Sequence, residues 1–238
     1  MRLIWLFGAM LLLAGCAATE AGRQSPSKPP PMPVDAGCYP APMPLVNVDI
    51  AVSGPVEDRS LSYRTLSQYD SDGKGPAAKR GQITFGVTQS SITGHGDLKG
   101  RQLAMASGQS CVWFTAVTVK LTWAIRVDIA SEISPGTCPD RAVREHEAKH
   151  VALDRRLQPQ LKQKIDATLA AHGRISLLAA SPATATQQMQ EAMDHIISNA
   201  ILEFVAERDR QQIGIDTPQE YERVMQLCGK RAFGSLVK

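Results

Sequence analysis

The chain lacks the features that mark several functional classes. Its 26 lysines and arginines nearly balance 23 aspartates and glutamates, for a formal charge of +3, and 5% of its residues are aromatic. It has no basic run and no ladder of aromatics, so neither phosphate neutralisation nor base stacking is provided for, and nucleic acid is not an expected partner. The apolar run at the amino terminus, residues 3–13, falls well short of the roughly 20 residues a helix needs to cross a bilayer. No wall-binding repeat is recognisable, which leaves peptidoglycan peptides without specific support as a target.

What is present begins with that apolar run. Arg2 precedes it, and Leu13-Ala14-Gly15-Cys16 follows, with small residues directly before a cysteine. This resembles a bacterial lipoprotein signal with its lipobox, and the resemblance implies removal of residues 1–15 and lipidation of Cys16. A short membrane span is the alternative. Ala17, where an aspartate would retain such a lipoprotein at the inner membrane, implies a lipid anchor in the outer membrane, facing the periplasm. Residues 16–37 carry Pro26, Pro29, Pro30, Pro31 and Pro33 among polar and small residues, a composition that makes a tether of about 60 Å at about 3.1 Å per residue. Residues 38–238 remain, enough for a single domain with a sizeable core. They hold Cys38, Cys111, Cys138 and Cys228, an even set that in an exported chain predicts two disulfides. The expected pairing joins Cys111 to Cys138, which bracket one β segment, and Cys38 to Cys228, near the two ends of the domain; two free buried pairs are the alternative.

The first half of that domain reads as β structure. Val46, Val48, Ile50 and Val52 alternate with Asn47, Asp49 and Ala51, and residues 60–67 and 82–88 make two further expected strands. Residues 70–75 and 94–100 read as loops from their Asp, Gly and Ser content, which puts His95 in an exposed turn. The clearest signal is Val117, Val119, Leu121, Trp123, Ile125, Val127 and Ile129. Strict alternation over that distance predicts antiparallel structure with one packed face, as one long bent strand or as a hairpin whose turn carries no Gly or Pro.

The second half reads as two long helices, giving an α+β fold in which an antiparallel β-sheet is followed by the helices. Pro139, with Thr137 or Cys138 as cap, opens a helix over residues 139–171, kinked just before Pro159. It contains His146-Glu147-x-x-His150, a spacing that places two histidines on one helical face with a glutamate beside them, as zinc hydrolases require. At about 100° per residue, His146, Glu147, His150 and Asp154 share a sector with Leu157, Leu161 and Ile165, while Glu145, Lys149 and Arg156 lie opposite. The motif therefore faces the core. Three ionisable groups on an apolar stripe are costly unless paired or metal-bound; buried, hydrogen-bonded histidines are the alternative. A second helix over residues 185–212 shows Met189, Met193, Ile196, Ile197, Ala200 and Phe204 on one stripe, with His195 and Glu191 on the wet side and Glu207 on the packed side.

Zinc needs a third protein ligand. Asp154, eight residues after His146, is about 12 Å along the helix from it and too far to share one ion; it is expected to orient His150 through a ring nitrogen instead. His172, Glu203, Glu207, Asp216 and Glu220 are the remaining donors. The segment Asp216-Thr217-Pro218-Gln219-Glu220-Tyr221 breaks the helical pattern and restarts it, so it can fold back over a cleft. Glu220 is the expected ligand, with Glu207 the second choice and a capping role the alternative for Glu220. Tyr221 beside it can donate to a developing oxyanion.

An exported domain with an antiparallel sheet, a cysteine-flanked β segment and then His146-Glu147-x-x-His150 resembles a bacterial family of predicted secreted zinc-dependent proteases, and more widely the zincins. Three residues, His146, Glu147 and His150, carry the resemblance, over about residues 46–228; the family's downstream histidine has no counterpart among Asp216 to Glu220. The resemblance implies a zincin-like fold in which a strand within residues 117–130 lines the site, a Zn²⁺ ion, and a periplasmic peptide or protein substrate. It implies hydrolysis with Glu147 as general base towards a zinc-activated water. The rival expectation is a non-catalytic envelope lipoprotein whose zinc site is structural or degenerate and which binds a partner. A fourth protein ligand would favour that rival, and an open position facing a cleft would favour catalysis.

Overall fold

The structure, a computed structural model, describes residues 38, 42–69 and 83–237. The expected signal, Cys16, the tether and the loop at 70–75 lie outside the described residues. In chain order the elements are β1 (Leu45–Asp58), α1 (Tyr63–Tyr69), β2 (Gly86–Ala104), β3 (Ser110–Ile129), α2 (Cys138–His172), β4 (Ser176–Ala179), α3 (Pro182–Ile213), α4 (Pro218–Cys228) and α5 (Lys230–Gly234). The fold is mixed: a four-stranded sheet with helices. Strand order is β1-β3-β2, and β4 pairs antiparallel with the start of β3, Ser110 opposite Ala179. Among the described residues no helix is long and apolar enough to cross a membrane.

The alternating series is one continuous strand, β3, and its apolar set is buried, from Val117 at 0% exposure to Val127 at 8%. Two expectations for the β half are overturned. Residues 60–67 do not form a strand; Ser62 caps α1 by accepting from the Thr65 amide at 3.2 Å, and Tyr63 and Leu66 are buried three apart, a helical spacing rather than an alternation. Residues 94–100 are not a loop but lie inside β2. Gly94 is there because its strand runs against β3: a Cβ would sit 2.4 Å from the Lys120 carbonyl oxygen.

The disulfide pairing is also corrected. Cys38 joins Cys111 and Cys138 joins Cys228, each with Cα atoms 5.6 Å apart. Cys111 is the second residue of β3, an extended strand of 20 residues, and Cys138 opens α2 shortly after the strand's far end, so the strand's length holds the two cysteines beyond the about 7 Å that a disulfide tolerates.

The chain divides into two compact units, both drawing on the same long elements. Among the described residues, one comprises 38, 42–51, Thr93–Leu121 and Gln160–Phe204. Its core holds Val119 and Leu121 of β3, Leu161, Ile165 and Leu169 of α2, and Met189 and Met193 of α3. The other comprises 52–69, 83–92, Thr122–Pro159 and 205–237. Its core holds Trp123, Ile125 and Ile129 of β3, Leu66, Leu157, and Phe85 between Tyr63 and Phe233 at 5.9 and 5.5 Å. Each such large side chain contributes about 1.5–3 kcal/mol by leaving water. The candidate site lies wholly in this second unit.

Candidate metal centre

Helix α2 begins where the sequence provides a stop and a start. The Thr137 hydroxyl accepts from the Asp140 amide at 3.4 Å, Pro139 occupies the first turn, and Asp140 supplies a carboxylate to the positive end. The helix then runs unbroken, and its apolar stripe carries the motif into the interior: His146 and His150 are 7% exposed, Glu147 3% and Asp154 1%.

Facing them is the segment that links α3 to α4. Asp216 precedes Thr217, whose side chain caps α4 by accepting from the Glu220 amide, with Pro218 at the first helical position. Asp216 Oδ1 lies 3.1 Å from His146 Nε2 and 3.1 Å from His150 Nε2, and the two Nε2 atoms are 3.3 Å apart. Tetrahedral ligands about 2.0–2.1 Å from a zinc ion stand about 3.3 Å from one another, so this triangle matches one face of such a polyhedron. His146, His150 and Asp216 can together hold a metal ion.

Electrostatics favour a cation there. Burial pushes the His146 and His150 imidazoles down, but Asp216 and Glu147 pull both upward, His150 to about 9. Burial pushes the Asp216 carboxyl up, yet the two histidines hold it far below the usual carboxylate range. The centre thus keeps an anion between two imidazoles and attracts positive charge to their shared point. Glu147, pushed upward by its burial, stands beside them with Oε2 accepting from the Thr88 hydroxyl at 2.8 Å. Gly86 makes room for it, since a Cβ on Gly86 would fall 2.5 Å from Glu147 Oε1. A cavity of about 140 Å³ opens on Gly86, Thr88, His146, Glu147, His150 and Tyr221, ample for water.

No family model, no curated protein and no solved structure matches this chain. What the centre does is therefore inferred from its chemistry.

The carboxylate in the triangle is Asp216, not Glu220. Glu220 is committed elsewhere: its carboxylate takes Lys149 Nζ at 2.6 Å and Arg223 at 2.8 and 2.9 Å, and it meets His146 on the far ring nitrogen, Nδ1, at 3.3 Å. Glu207 is excluded as a ligand because it is exposed and bound to Arg210 and Gln211. Its placement on the packed side failed because the stripe shifts along α3: the residues turned inward are Arg208 and Gln212, about 100° and 140° further round. Asp154 does not touch His150. Arg208 grips it from Nε at 2.7 Å and Nη2 at 2.9 Å, the Gln212 amide donates to it at 2.7 Å, and Gln212 Oε1 in turn lies 2.5 Å from His150 Nδ1. Tyr221 does belong to the site, with its hydroxyl 3.3 Å from Asp216 Oδ1. His95, His172 and His195 are exposed. The site strand is β2, which ends the strand order, rather than β3, which lies between two neighbours.

Thr88, Gly86 and Gln212 had no signal of their own in the sequence. Asp216 did, as an acid immediately before a Thr-Pro helix start.

Proposed function

We propose that the chain is a zinc-dependent, zincin-like peptidase that acts on peptides or proteins in the periplasm, held to the outer membrane through Cys16. The observation that carries this reading is the donor triangle of His146, His150 and Asp216 with Glu147 beside it, on the wall of a cavity. Among the described residues the donor set numbers three rather than four, which suits an open, catalytic position better than a closed structural one. When bound, zinc would supply Lewis acidity, lowering the pKa of a water and polarising the scissile carbonyl.

The chain's own groups provide the rest. Glu147 accepts the proton of the attacking water on Oε1, the oxygen that Thr88 does not engage, and delivers it to the leaving amine. Thr88 fixes the carboxylate so that little reorganisation accompanies the transfer. The Tyr221 hydroxyl, poised on Asp216, can turn its donor to the carbonyl oxygen as charge develops there. Residues 86–88 of β2 offer backbone groups with which an extended substrate pairs.

The test is Glu147→Gln on purified protein, measuring zinc content alongside cleavage of an unstructured protein such as casein. Zinc content should stay at the wild-type level while the cleavage rate falls by about 10²–10⁴-fold. A variant that cleaves at the wild-type rate would sink the mechanism.

A further inference from the structure

Three buried side chains and the part-buried Arg208 in the same unit form a hydrogen-bonded chain with a single possible direction. It starts at Arg208, whose guanidinium has donors only and does not lose its proton. Asp154, 1% exposed, therefore accepts from it with both oxygens. Asp154 Oδ1 also takes a hydrogen bond at 2.7 Å from Gln212. The Gln212 end facing Asp154 must then be the NH₂ group, and the same nitrogen lies 3.4 Å from a second acceptor, the His150 backbone carbonyl. With the amide so oriented, only Oε1 is left for His150 Nδ1, 2.5 Å away. A carbonyl oxygen accepts, so Nδ1 must carry a proton.

We propose that this chain sets the tautomer of His150, and that Gln212 is the positioning residue that keeps the Nε2 lone pair directed at the donor triangle. A neutral imidazole has one protonated nitrogen and one lone pair, and a metal ligand needs the lone pair at the metal side. His146 is fixed differently, by the Glu220 carboxylate at its Nδ1. The inference rests on the metal reading of the site, but its chemistry can be read separately.

The experiment uses the full chain labelled with ¹⁵N-histidine. It reads the His150 Nδ1 proton by long-range ¹H–¹⁵N spectra, with and without zinc, and zinc affinity by competition with a chelator. Gln212→Met keeps the volume but removes the acceptor; the slowly exchanging Nδ1 proton should be lost and zinc should bind about 10–100-fold more weakly. Gln212→Glu is the rescue, because it returns an acceptor oxygen to His150 Nδ1 in a side chain of the same length; the Nδ1 proton should be kept and zinc should bind within about threefold of wild type.

A Gln212→Glu variant no better than Gln212→Met, or a Gln212→Met variant that keeps both the Nδ1 proton and wild-type affinity, overturns the relay. Failure of the wild-type protein to bind zinc at all would overturn the metal reading, and the Nδ1 signal, read at alkaline pH where the ring is neutral, would still decide the relay.

Discussion

The disulfide between Cys138 and Cys228 ties the first residue of α2 to the last residue of α4, and α4 follows directly on Asp216. Replacing both cysteines by serine tests what that clamp contributes. The bond closes a loop with a sequence separation of 90, for which loss of chain entropy in the unfolded state corresponds to about 4.6 kcal/mol. Against this, α4 buries a single side chain, Val224 at 7% exposure, a contribution of about 1.5–3 kcal/mol. Its other attachments include the contact of Glu220 with His146, the packing of the Tyr221 ring on His146, and the ion pairs of Glu220 with Lys149 and of Arg223 with Glu145, the last of which is exposed and worth roughly 0–1 kcal/mol. The clamp therefore outweighs the burial of Val224 and the exposed ion pair. For a chain of this length about 4.6 kcal/mol corresponds to a fall in Tm of roughly 9–18 °C by calorimetry. Zinc affinity should fall with it, by about tenfold or more, because the segment bearing Asp216 loses its anchor. Replacement of Cys38 and Cys111, which lie in the other unit, should lower Tm without weakening zinc binding. A Cys138 and Cys228 variant that melts within about 3 °C of wild type and binds zinc equally well would refute the reasoning.

Gly86→Ala should separate binding from chemistry. Its Cβ would press 2.5 Å from Glu147 Oε1 and 2.6 Å from Val143 Cγ1, displacing the carboxylate by about an ångström and reducing cleavage about 100-fold at unchanged zinc affinity. Asp216→Ala should weaken zinc binding far more than Glu207→Ala, and equal losses in a chelator competition would contradict the assignment of the triangle. Asp140 gives a pH test. Burial pushes its carboxyl up, but hydrogen bonds from Arg59, the Gly136 amide and Arg144 more than reverse this and hold it below its ordinary value. Because the folded pKa is the lower one, the stabilisation is complete above the unfolded value of about 3.9 and is lost as pH falls through the folded value. The urea midpoints of wild type and Asp140→Asn should therefore differ by a constant amount from about pH 5 to 7 and converge below about pH 4.

Local periodicity makes parts of this molecule legible in its sequence. The face on which His146, Glu147 and His150 lie follows from the angular step of one helix, and the apolar alternation of β3 follows from the pleat of one strand. In both, the residues concerned are neighbours in sequence, so their geometry is set by a few backbone dihedrals. Where the local signal is ambiguous, packing reverses it: Gly94 and Gly100 look like turn residues but allow β2 to run close to β3, and Ser62 makes a cap where the alternation suggests a strand.

By itself, the sequence determined that two histidines and a glutamate share the buried side of a helix, and that four cysteines were available to pair. Only the tertiary structure decided which carboxylate meets the histidines, which cysteines join and what lies behind His150. Asp216 stands 66 residues from His150, and Gln212 stands 62. Nothing in local propensity encodes which distant segment arrives at a helix face, because that depends on how sheet and helices bury their apolar surfaces together. Glu220 and Glu207 have the same functional group as Asp216, and they are excluded by where the packed chain leaves them: one held by Lys149 and Arg223, the other in water.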